Sequence, residues 1–394
     1  MTHYDVVIAG GGPAGASAAT VLAGAGLSVL VLDKAVFPRD KLCAGLLTWK
    51  TCRTIERVFG VTPRELKRLG VINNTSDAYR IRHRARILIE GPLVYPFHFV
   101  ARRDFDAWCL DRARAAGAEV LTGAEVAWAD PRAGQVRTRD GREFSGTHLL
   151  AADGALSTVR RFCAIDPASW RAEQGMGLEI YLERDWLRGR TGLCPDLLAD
   201  FPTVYSGFVH AGYGWSFPHR DRVIIGICGL HRALREGEFR TALADFLDFL
   251  GIPPDHGLPV RGHPLPYGNW LRRPHDGRTL LVGDAGGMVE PFFGEGIHYA
   301  LHTGELAAKA VLEARTGTDP RARYEALLAA TVFTELEWSR KLRRLLFWMF
   351  SHGAVMPVAG LLRGGGNALQ EMVHGIRSFK LLRRLHDFDP RRGE

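Results

Sequence analysis

Cysteine is scarce in this sequence, and no two cysteines stand close enough to form a CxxC motif. The six cysteines among 394 residues have no spacing typical of a metal site. No signal peptide precedes the first apolar strand, and no internal repeat or low-complexity linker interrupts the chain. We therefore expect a protein of the reducing cytoplasm that has no metal centre.

Long uncharged runs are almost absent, with one exception near the C-terminus. Residues 345–362 contain no Asp, Glu, Lys or Arg, and their length alone makes them a transmembrane candidate. Pro357 and three small or polar residues interrupt the middle of this stretch. The interruption leaves two further possibilities open, a pair of helices at a membrane interface and a pair with ordinary packing.

Positive charge is in excess, with a formal net charge of +8, and it is concentrated at the C-terminal end. Residues 340–394 hold 11 Lys and Arg against 4 Asp and Glu, a net charge of +7. A basic tail of this kind suits an anionic membrane surface or a nucleic acid. No aromatic and basic nucleic-acid motif accompanies the tail. We therefore expect peripheral contact with the inner membrane face and no nucleic acid.

A glycine-rich turn follows the first apolar strand. The fragment GGGPAG at residues 10–15 has the pattern G-x-G-x-x-G, formed by Gly10, Gly12 and Gly15. An Ala-rich helix follows this turn, and Asp33 ends the next strand, which is the context of a dinucleotide site. Gly12 lets the main chain approach a pyrophosphate, the helix N-terminus faces the phosphates, and Asp33 can accept hydrogen bonds from ribose hydroxyls.

Two later motifs favour FAD over NAD. ADGALSTVRR places Asp153 and Gly154 at the end of a strand, and VGDAGGMVEPFFGEGI places Asp284 at the end of another. A dinucleotide with a long polyol chain needs a second acid far along the sequence for its hydroxyls, and Asp284 can serve there. Gly294 and Gly296 precede a helix whose N-terminus can stabilise negative charge on the reduced flavin.

The overall pattern predicts an α/β protein in which an antiparallel sheet interrupts a Rossmann-type FAD-binding domain. Apolar strands alternate with helices in one part of the chain, whereas the intervening stretches are rich in aromatic residues, Pro and Gly. The predicted parts are a discontinuous FAD-binding domain at 1–75, 101–165 and 271–325, a substrate-binding β-sheet domain at 76–100 and 166–270, and a helical C-terminal region at 326–394.

These motifs together resemble the FAD-dependent flavoproteins of the p-hydroxybenzoate hydroxylase fold, over roughly residues 1–320. Two further segments resemble the geranylgeranyl reductase family. FPRDKLCAGLL is similar to the family motif P-x-x-K-x-C-G-G, through Pro38, Lys41, Cys43, Ala44 and Gly45. GYGWSFP matches the family motif Y-x-W-x-F-P, through Tyr213, Trp215, Phe217 and Pro218. Ala44 in place of a glycine, and His219 where a basic residue often follows, leave the exact substrate open.

The resemblance implies a reductase that saturates C=C bonds of a prenyl, geranylgeranyl-type chain. Reduced FAD would deliver a hydride from N5 to one carbon, and a proton would reach the other. The resemblance also implies NADPH or an electron-donor protein as the source of electrons. Catalytic roles are expected for Cys43, Tyr213 and Trp215. The expected FAD contacts, besides the glycines and acids above, are Ala14, Lys34, Cys43, Ala44, Gly45, Arg102 and Ile297.

Several alternatives stay open. Cys43 either donates the proton, contacts the substrate, or is a small packing residue beside the ring. The same fold serves flavin monooxygenases and halogenases, and halogenases carry W-x-W-x-I-P where this chain has Tyr213 and Phe217. Lys67 is not a convincing match for the catalytic lysine of halogenases. A flavin-binding or nucleic-acid-binding protein without turnover is a further alternative, supported by the basic tail alone.

Four arginines alternate in the fragment YRIRHRARILIE, as Arg80, Arg82, Arg84 and Arg86. Residues at every second position of one strand share a face of the sheet. We expect these arginines to form either an exposed, solvated face or a contact for a substrate pyrophosphate or a phospholipid head group.

Overall fold

A computed structural model describes residues 1–171, 173–230, 237–365, 367–380 and 384–385, in which two eight-stranded sheets are surrounded by helices. The strands are β1 (Thr2–Ala9), β2 (Val29–Asp33), β3 (Leu46–Leu47), β4 (Ile72–His83), β5 (Arg86–Val100), β6 (Glu119–Thr122), β7 (Val126–Asp130), β8 (Gln135–Thr138), β9 (Glu143–Ala151), β10 (Gln174–Glu183), β11 (Thr203–Ser206), β12 (Gly212–Pro218), β13 (Arg222–Leu230), β14 (Arg261–Pro266), β15 (His275–Asp276) and β16 (Thr279–Leu281).

The α-helices are α1 (Pro13–Gly24), α2 (Trp49–Phe59), α3 (Pro63–Arg68), α4 (Arg102–Ala115), α5 (Thr158–Phe162), α6 (Pro167–Arg171), α7 (Arg184–Leu187), α8 (Glu238–Phe249), α9 (Ile297–Ala314), α10 (Pro320–Leu328), α11 (Thr334–Ser351), α12 (Val355–Gly364) and α13 (Ala368–Val373). Short 3₁₀ segments occupy Pro195–Leu198 and Gly283–Gly286, and a π-helical turn, Ala329–Phe333, joins α10 to α11. The predicted α/β class with a helical C-terminal region is confirmed.

The first sheet positions the predicted dinucleotide motifs. Its central strands run in the order β16, β9, β1, β2 and β6, and all of their pairings are parallel. Helices α1 and α9 pack together over one face, and β7, β8 and α5 cover the other, which explains why the strands are continuous apolar runs. Since the carboxyl ends of parallel strands share an edge, the turns that contain Gly10, Asp153 and Asp284 lie at the same edge of the sheet.

The second sheet has the order β14, β10, β13, β12, β11, β4, β5 and β3, and its pairings are antiparallel except that of β11 with β4. One face packs its apolar side chains, among them Ile180, Ile225 and Ile227, against Phe246 of α8. Successive residues of a strand point to opposite faces. The other face therefore carries the remaining residues of β10, β12 and β13, and these meet the loops of the first sheet.

Strand pairing crosses the predicted domain limits at two places. The predicted domain boundary between residues 75 and 76 falls inside β4. In addition, β3 lies in the predicted FAD-binding domain but pairs with β5 of the predicted substrate-binding domain. The pairing of β3 with β5 brings the chain around Cys43 close to the second sheet. The division into domains stays a prediction.

The prediction that the four alternating arginines share one strand face is wrong, because a hairpin turn lies between Arg82 and Arg86. Arg84 has a φ of +49° in this turn, and β5 begins at Arg86. Arg80 and Arg82 both pair with the buried Asp196, and the Arg82 Nη1 to Oδ2 distance is 2.8 Å. The first two arginines are therefore neutralised inside the protein instead of facing an anionic ligand.

The basic C-terminal region is partly neutralised in the same way. Two carboxylates each hold two of its arginines, at N–O distances of 2.5 to 2.6 Å. The pairs are Arg343 and Arg344 with Glu173, and Arg377 and Arg384 with Glu371. The net positive charge of this region is therefore not all available to an external anion.

The uncharged stretch at 345–362 is divided between two helices. Its first residues complete α11, which ends at Ser351, and its last residues belong to α12, which starts at Val355. No helix of the described residues is long and apolar enough to cross a membrane. Several large apolar side chains of the two helices are exposed.

Candidate active site

The glycine-rich turn after β1 is closely packed on three sides. A Cβ atom on Gly10 would overlap the carbonyl of Ala152, and one on Gly15 would overlap the carbonyl oxygen of Gly10. Ala14 is buried under α9, where its main chain lies directly against Gly304. These positions accept only small residues because main chain contacts main chain there.

Gly12, in contrast, faces open space. Among the described residues, only Arg39 Nη2 would lie within 4 Å of a Cβ at this position, at a distance of 3.7 Å. Gly12 precedes α1 and provides no side-chain cap, so first-turn N–H groups of the helix are free for an anion. Arg39 Nη1 is buried and has no hydrogen-bond partner among the described residues, although the same guanidinium pairs with Asp106 at 2.9 Å. These features fit a pyrophosphate.

Asp33 organises the same turn from the end of β2. Its Oδ2 accepts a hydrogen bond from the Gly11 N–H at 2.7 Å, and its Oδ1 accepts one from Ala35 at 2.8 Å. A carboxylate oxygen has two lone pairs, so both oxygens can still accept from ribose hydroxyls. Lys34 follows with an exposed side chain. Burial lowers the pKa of His263 on β14 to about 4, and the charges of Lys41, Arg102 and Lys34 act in the same direction.

The second and third motifs are joined by Arg160. Asp153 follows β9 and accepts hydrogen bonds at Oδ2 from two main-chain N–H groups of α5, at 2.7 and 3.1 Å, while Gly154 turns the chain with a φ of +79°. Burial raises the pKa of Asp153, and its Oδ1 has no hydrogen-bond partner in the described chain. Arg160 donates to the carbonyl of Ala285 at 2.9 Å, next to Asp284. Buried acceptors without partners are rare, so Asp153 Oδ1 is available for a ligand.

The loop before α9 is held by Tyr213. The Tyr213 hydroxyl donates to the carbonyl of Phe293, and a Cβ on Gly294 would lie 2.8 Å from the hydroxyl oxygen. Gly296 precedes α9 without a side-chain cap, and Ile297 is buried in the core beneath. Because its hydroxyl is occupied by this loop, any contact of Tyr213 with a substrate depends on its ring.

Arg102 is a fixed cation beside Cys43. Its guanidinium donates to both oxygens of Asp106, at 2.6 and 2.8 Å, and it lies within hydrogen-bond reach of Cys43. Burial lowers the pKa of Arg102, but Asp106 and Cys43 raise it by more, so the net pKa is raised and the charge is retained. Asp106 thus holds Arg102 next to Cys43 and Arg39 next to Gly12.

The two segments that resemble the reductase family contact each other. The ring of His219, which follows the GYGWSFP strand, lies with Nε2 3.0 Å from the carbonyl oxygen of Ala44. Burial lowers the pKa of His219 to about 4, so the ring is uncharged near neutral pH. Gly45 adopts a φ of +70° and packs against the carbonyl oxygen of Val100, where no side chain fits. Sequence reasoning noted His219 only as a departure from a basic residue.

Trp215 and Glu179 lie at the same register, two strands apart, on the face of the second sheet that meets these loops. Gly226 of β13 is paired with Glu179 of β10 on one side and with Trp215 of β12 on the other. The Trp215 ring occupies the space above Gly226. Glu179 Oε2 and Trp215 Nε1 are both buried, and neither has a hydrogen-bond partner within the described ranges. Sequence reasoning missed Glu179, because no local pattern marks it.

Lys41 of the 37–47 loop and Arg102 of α4 both act on the pKa of two buried acids, Glu179 and Asp284. Burial raises the pKa of Glu179 to about 8, while the charges of Lys41 and Arg102 and the main-chain amide of Cys43 act to lower it. Burial also lowers the pKa of Lys41, and Asp284 acts in the opposite direction. Desolvation raises the pKa of Asp284 despite the same two cations. Acid, cation and thiol chemistry are therefore concentrated around Cys43.

A separate groove of about 2450 Å³ opens between α2, α3, α9 and α11. Eight Lys and Arg side chains line it against three Glu, together with His98, His298 and His302. The predicted site residues do not line this groove, and its charge does not suit a hydrocarbon chain. Lys67 lines this groove. Burial raises the pKa of the Cys52 thiol and lowers that of His98, and the charge of Lys67 acts to lower both pKa values.

The geometry of the turn, the three acids and the uncapped helices defines a site for a flavin dinucleotide. In agreement, residues 3–177 match the model of the FAD binding domain family. The protein is therefore an FAD-dependent oxidoreductase.

Comparison with whole proteins defines the family. The chain is 31% identical to a menaquinone reductase of Mycobacterium tuberculosis, with 95% of this chain and 90% of that protein covered. It is 28% identical to a geranylgeranyl diphosphate reductase of Rhodobacter capsulatus, with 78% and 75% covered. A geranylgeranyl bacteriochlorophyll reductase-like structure from Thermoplasma acidophilum superposes with a TM-score of 0.73 at 21% identity, and 88% of each chain is covered. The chain belongs to the geranylgeranyl reductase family of FAD-dependent oxidoreductases, as the two motifs predict.

Proposed function

We propose that this protein reduces isolated C=C bonds of a prenyl chain with electrons from FAD. The contact between the two motif segments, through His219 and Ala44, carries the proposal. This contact brings the Cys43 loop against the sheet face of Trp215, beside the dinucleotide turn. A double bond needs both a hydride and a proton, and the Cys43 loop adjoins both the cofactor site and a carboxyl, Glu179.

The chain's own residues divide into two groups in this proposal. The uncapped N-terminus of α1 and Arg39 would hold the pyrophosphate, and Asp33 and Asp284 would accept hydrogen bonds from cofactor hydroxyls. Bound FAD supplies the hydride-transfer chemistry. Cys43 and Trp215 would contact the alkene and exclude water from it. NADPH or an electron-donor protein would reduce the flavin.

The substrate test offers three prenyl chains to the reduced protein. The purified holoenzyme is reduced with dithionite without oxygen and mixed with geranylgeranyl diphosphate, a prenyl glycerolipid or menaquinone. Menaquinone is included because a relative that aligns with nearly the whole chain is named for it. We expect one of the chains to gain two hydrogen atoms per double bond by mass spectrometry. Reduction of none of them, with unchanged flavin reoxidation, would contradict the proposal.

Cys43 is expected to act by contact. We expect Cys43→Ala and Cys43→Ser to lower turnover several-fold, up to roughly tenfold, because each removes packing against the alkene without removing an acid, whereas loss of a general acid costs ~10²–10⁴-fold. Anaerobic turnover and the visible spectrum of bound FAD are the measurements. Cys163→Ala, in the core between the first sheet and α5, is the matched control. A loss above roughly 100-fold in both Cys43 variants would assign the proton to the thiol.

The alternative function is a flavin monooxygenase or halogenase of the same fold. Lys67 speaks against the halogenase, because it lies in the last turn of α3 and faces the separate groove. Oxygen consumption that depends on an aromatic substrate or on a halide would support this alternative. Alkene saturation without oxygen would exclude it as the main activity.

We also propose that α11 and α12 touch a membrane. Leu345, Trp348, Met356 and Leu361 are 51% to 58% exposed on these two helices. The same surface carries Arg363 of α12, which donates to main-chain carbonyls of β5. Exposed apolar side chains beside basic ones bind the interface of anionic bilayers.

The membrane contact is tested with a single exposed side chain. We expect Trp348→Ala to weaken flotation with anionic vesicles by roughly tenfold, because one aromatic ring leaves the bilayer interface. Leu69→Ala, at a side chain that is 59% exposed outside these helices, is the control and should float like the wild type. Equal binding of both variants, or no binding of the wild-type protein, would contradict the contact.

A further inference from the structure

Glu179 is a buried carboxyl in the middle of β10, and its side chain is 2% exposed. Its neighbours Ile180 and Leu182 pack into the core below α8. Glu179 must therefore point to the opposite face, where Trp215 lies. An ionisable group at this depth requires a partner or a function, because burying an unpaired charge is costly.

The groups around Glu179 leave one of its carboxyl oxygens without a hydrogen bond within the described chain. Lys41 and the main-chain amide of Cys43 approach it from the 37–47 loop, Arg102 from α4, Tyr181 from its own strand, and Cys228 from β13. Its Oε2 nevertheless has no hydrogen-bond partner in the chain as described, and the same holds for Trp215 Nε1. Two unpartnered polar atoms at one register of the sheet indicate a place where a ligand or substrate completes the contacts.

Two glycines and the strand β14 define the surroundings of Glu179 on this face of the sheet. Gly226 separates Glu179 from Trp215, and Gly177 lies two residues before Glu179 on the same strand and the same face. The Trp215 ring covers Gly226, and the Leu265 side chain would lie 3.4 Å from a Cβ on Gly177, so larger neighbours pack over both glycines. On β14, Arg261 is paired with Glu179 and His263 with Gly177, so the acid lies among ionisable groups of β14 and of the loop that adjoins the dinucleotide turn.

We propose that Glu179 is the acid that protonates the second carbon of the double bond, in the reaction proposed above. The double bond gains a hydride at one carbon from the reduced cofactor. The O–H bond of Glu179 breaks as the new C–H bond forms at the other carbon, so the double bond receives two electrons and two hydrogens. The carboxylate that remains is protonated by water before the next turnover.

The kinetic test compares two glutamates of one strand. Glu179→Gln removes the acid, and Glu183→Gln, at the exposed end of β10, is the control. Flavin reoxidation by a prenyl substrate is followed without oxygen across the pH range. We expect the wild-type rate to fall as the pH rises through about 8, since the acid is then ionised. Glu179→Gln should be at least ~100-fold slower and lack this fall, and the control should match the wild type.

An infrared titration of the protein without substrate gives a second readout. The wild-type protein should show a protonated carboxyl band that titrates near pH 8 and is missing in Glu179→Gln. Glu290, whose pKa burial raises to about 7, should contribute a separate band that both proteins share. Absence of the Glu179 band in the wild type would overturn the proposal, even if the variant failed to fold. Glu179→Asp should keep the band and part of the rate.

The outcomes separate this proposal from the function on which it rests. A wild-type protein that reduces no prenyl chain contradicts the proposed function, and the role of Glu179 falls with it. A wild-type protein that reduces a chain, with Glu179→Gln equally fast and with the same pH profile, contradicts the role of Glu179 alone.

Discussion

Gly15→Ala is expected to destabilise the protein by more than about 3 kcal/mol, because the new methyl group would overlap the carbonyl oxygen of Gly10. The turn cannot widen easily, since Gly10 is itself pressed against Ala152 at the end of β9. Thermal unfolding of the apoprotein measures the effect. The variant should also fail to retain FAD during purification.

Gly12→Ala separates ligand binding from packing in the same motif. The nearest atom to the new methyl group is Arg39 Nη2 at 3.7 Å, so the apoprotein should lose less than about 1 kcal/mol. The affinity for FAD should fall at least roughly tenfold, because the methyl group occupies the approach to the helix N-terminus. Gly24→Ala, in the same helix with no described atom near, is the control for both measurements. Normal FAD affinity of Gly12→Ala would contradict the predicted pyrophosphate position.

The sequence is informative about the cofactor site because that site is mostly local. Gly10, Gly12 and Gly15 lie in one strand–turn–helix unit, and Asp33 ends the next strand, so spacing alone places them together. The more distant acids follow from strand order, since Asp153 follows β9, which is paired with β1, and Asp284 follows β16, the next parallel strand. Pattern recognition works here because the contacts repeat in every protein that binds a dinucleotide in this way.

The same reasoning could not find Arg39 or Glu179. Arg39 reaches Gly12 from a loop that leaves the first βαβ unit, and Asp106 on α4 holds it there. Glu179 meets Trp215 only because β10, β13 and β12 pair in a particular register. Register is set by packing across the whole sheet, and one sequence does not reveal it. Residues of this kind become visible through their unpartnered atoms in the fold.

The prediction that the four alternating arginines share one face was wrong for a different reason. Period-two alternation predicts one face only when the strand is continuous, and here a two-residue turn interrupts it. Such turns usually contain Gly, Asn or Asp, which adopt positive φ at little cost. Arg84 takes the positive φ in this protein, so the sequence gives no turn signal. Asp196, which binds Arg80 and Arg82, lies far along the chain and is equally invisible to a local pattern.

Arg343→Ala is expected to destabilise the protein by about 2–3 kcal/mol, because it removes a fully buried side chain and leaves the carbonyl of Tyr267 without its donor, although Glu173 keeps Arg344. The Arg343 side chain is 1% exposed, pairs with Glu173 at 2.6 Å and donates to the carbonyl of Tyr267. It therefore fixes α11 to the segment that follows β14. Chemical or thermal unfolding measures the loss.

Arg344→Ala is the matched comparison, because Arg344 binds the same carboxylate at 2.5 Å from a side chain that is 58% exposed. Water replaces most of this contact, so the loss should stay below about 1 kcal/mol. Limited proteolysis should cut near α11 faster in Arg343→Ala than in Arg344→Ala, since only the first loosens the helix from the sheet. Equal losses in the two variants would mean that the exposed arginine carries as much of the attachment as the buried one. The C-terminal helices would then be held mainly by their apolar contacts.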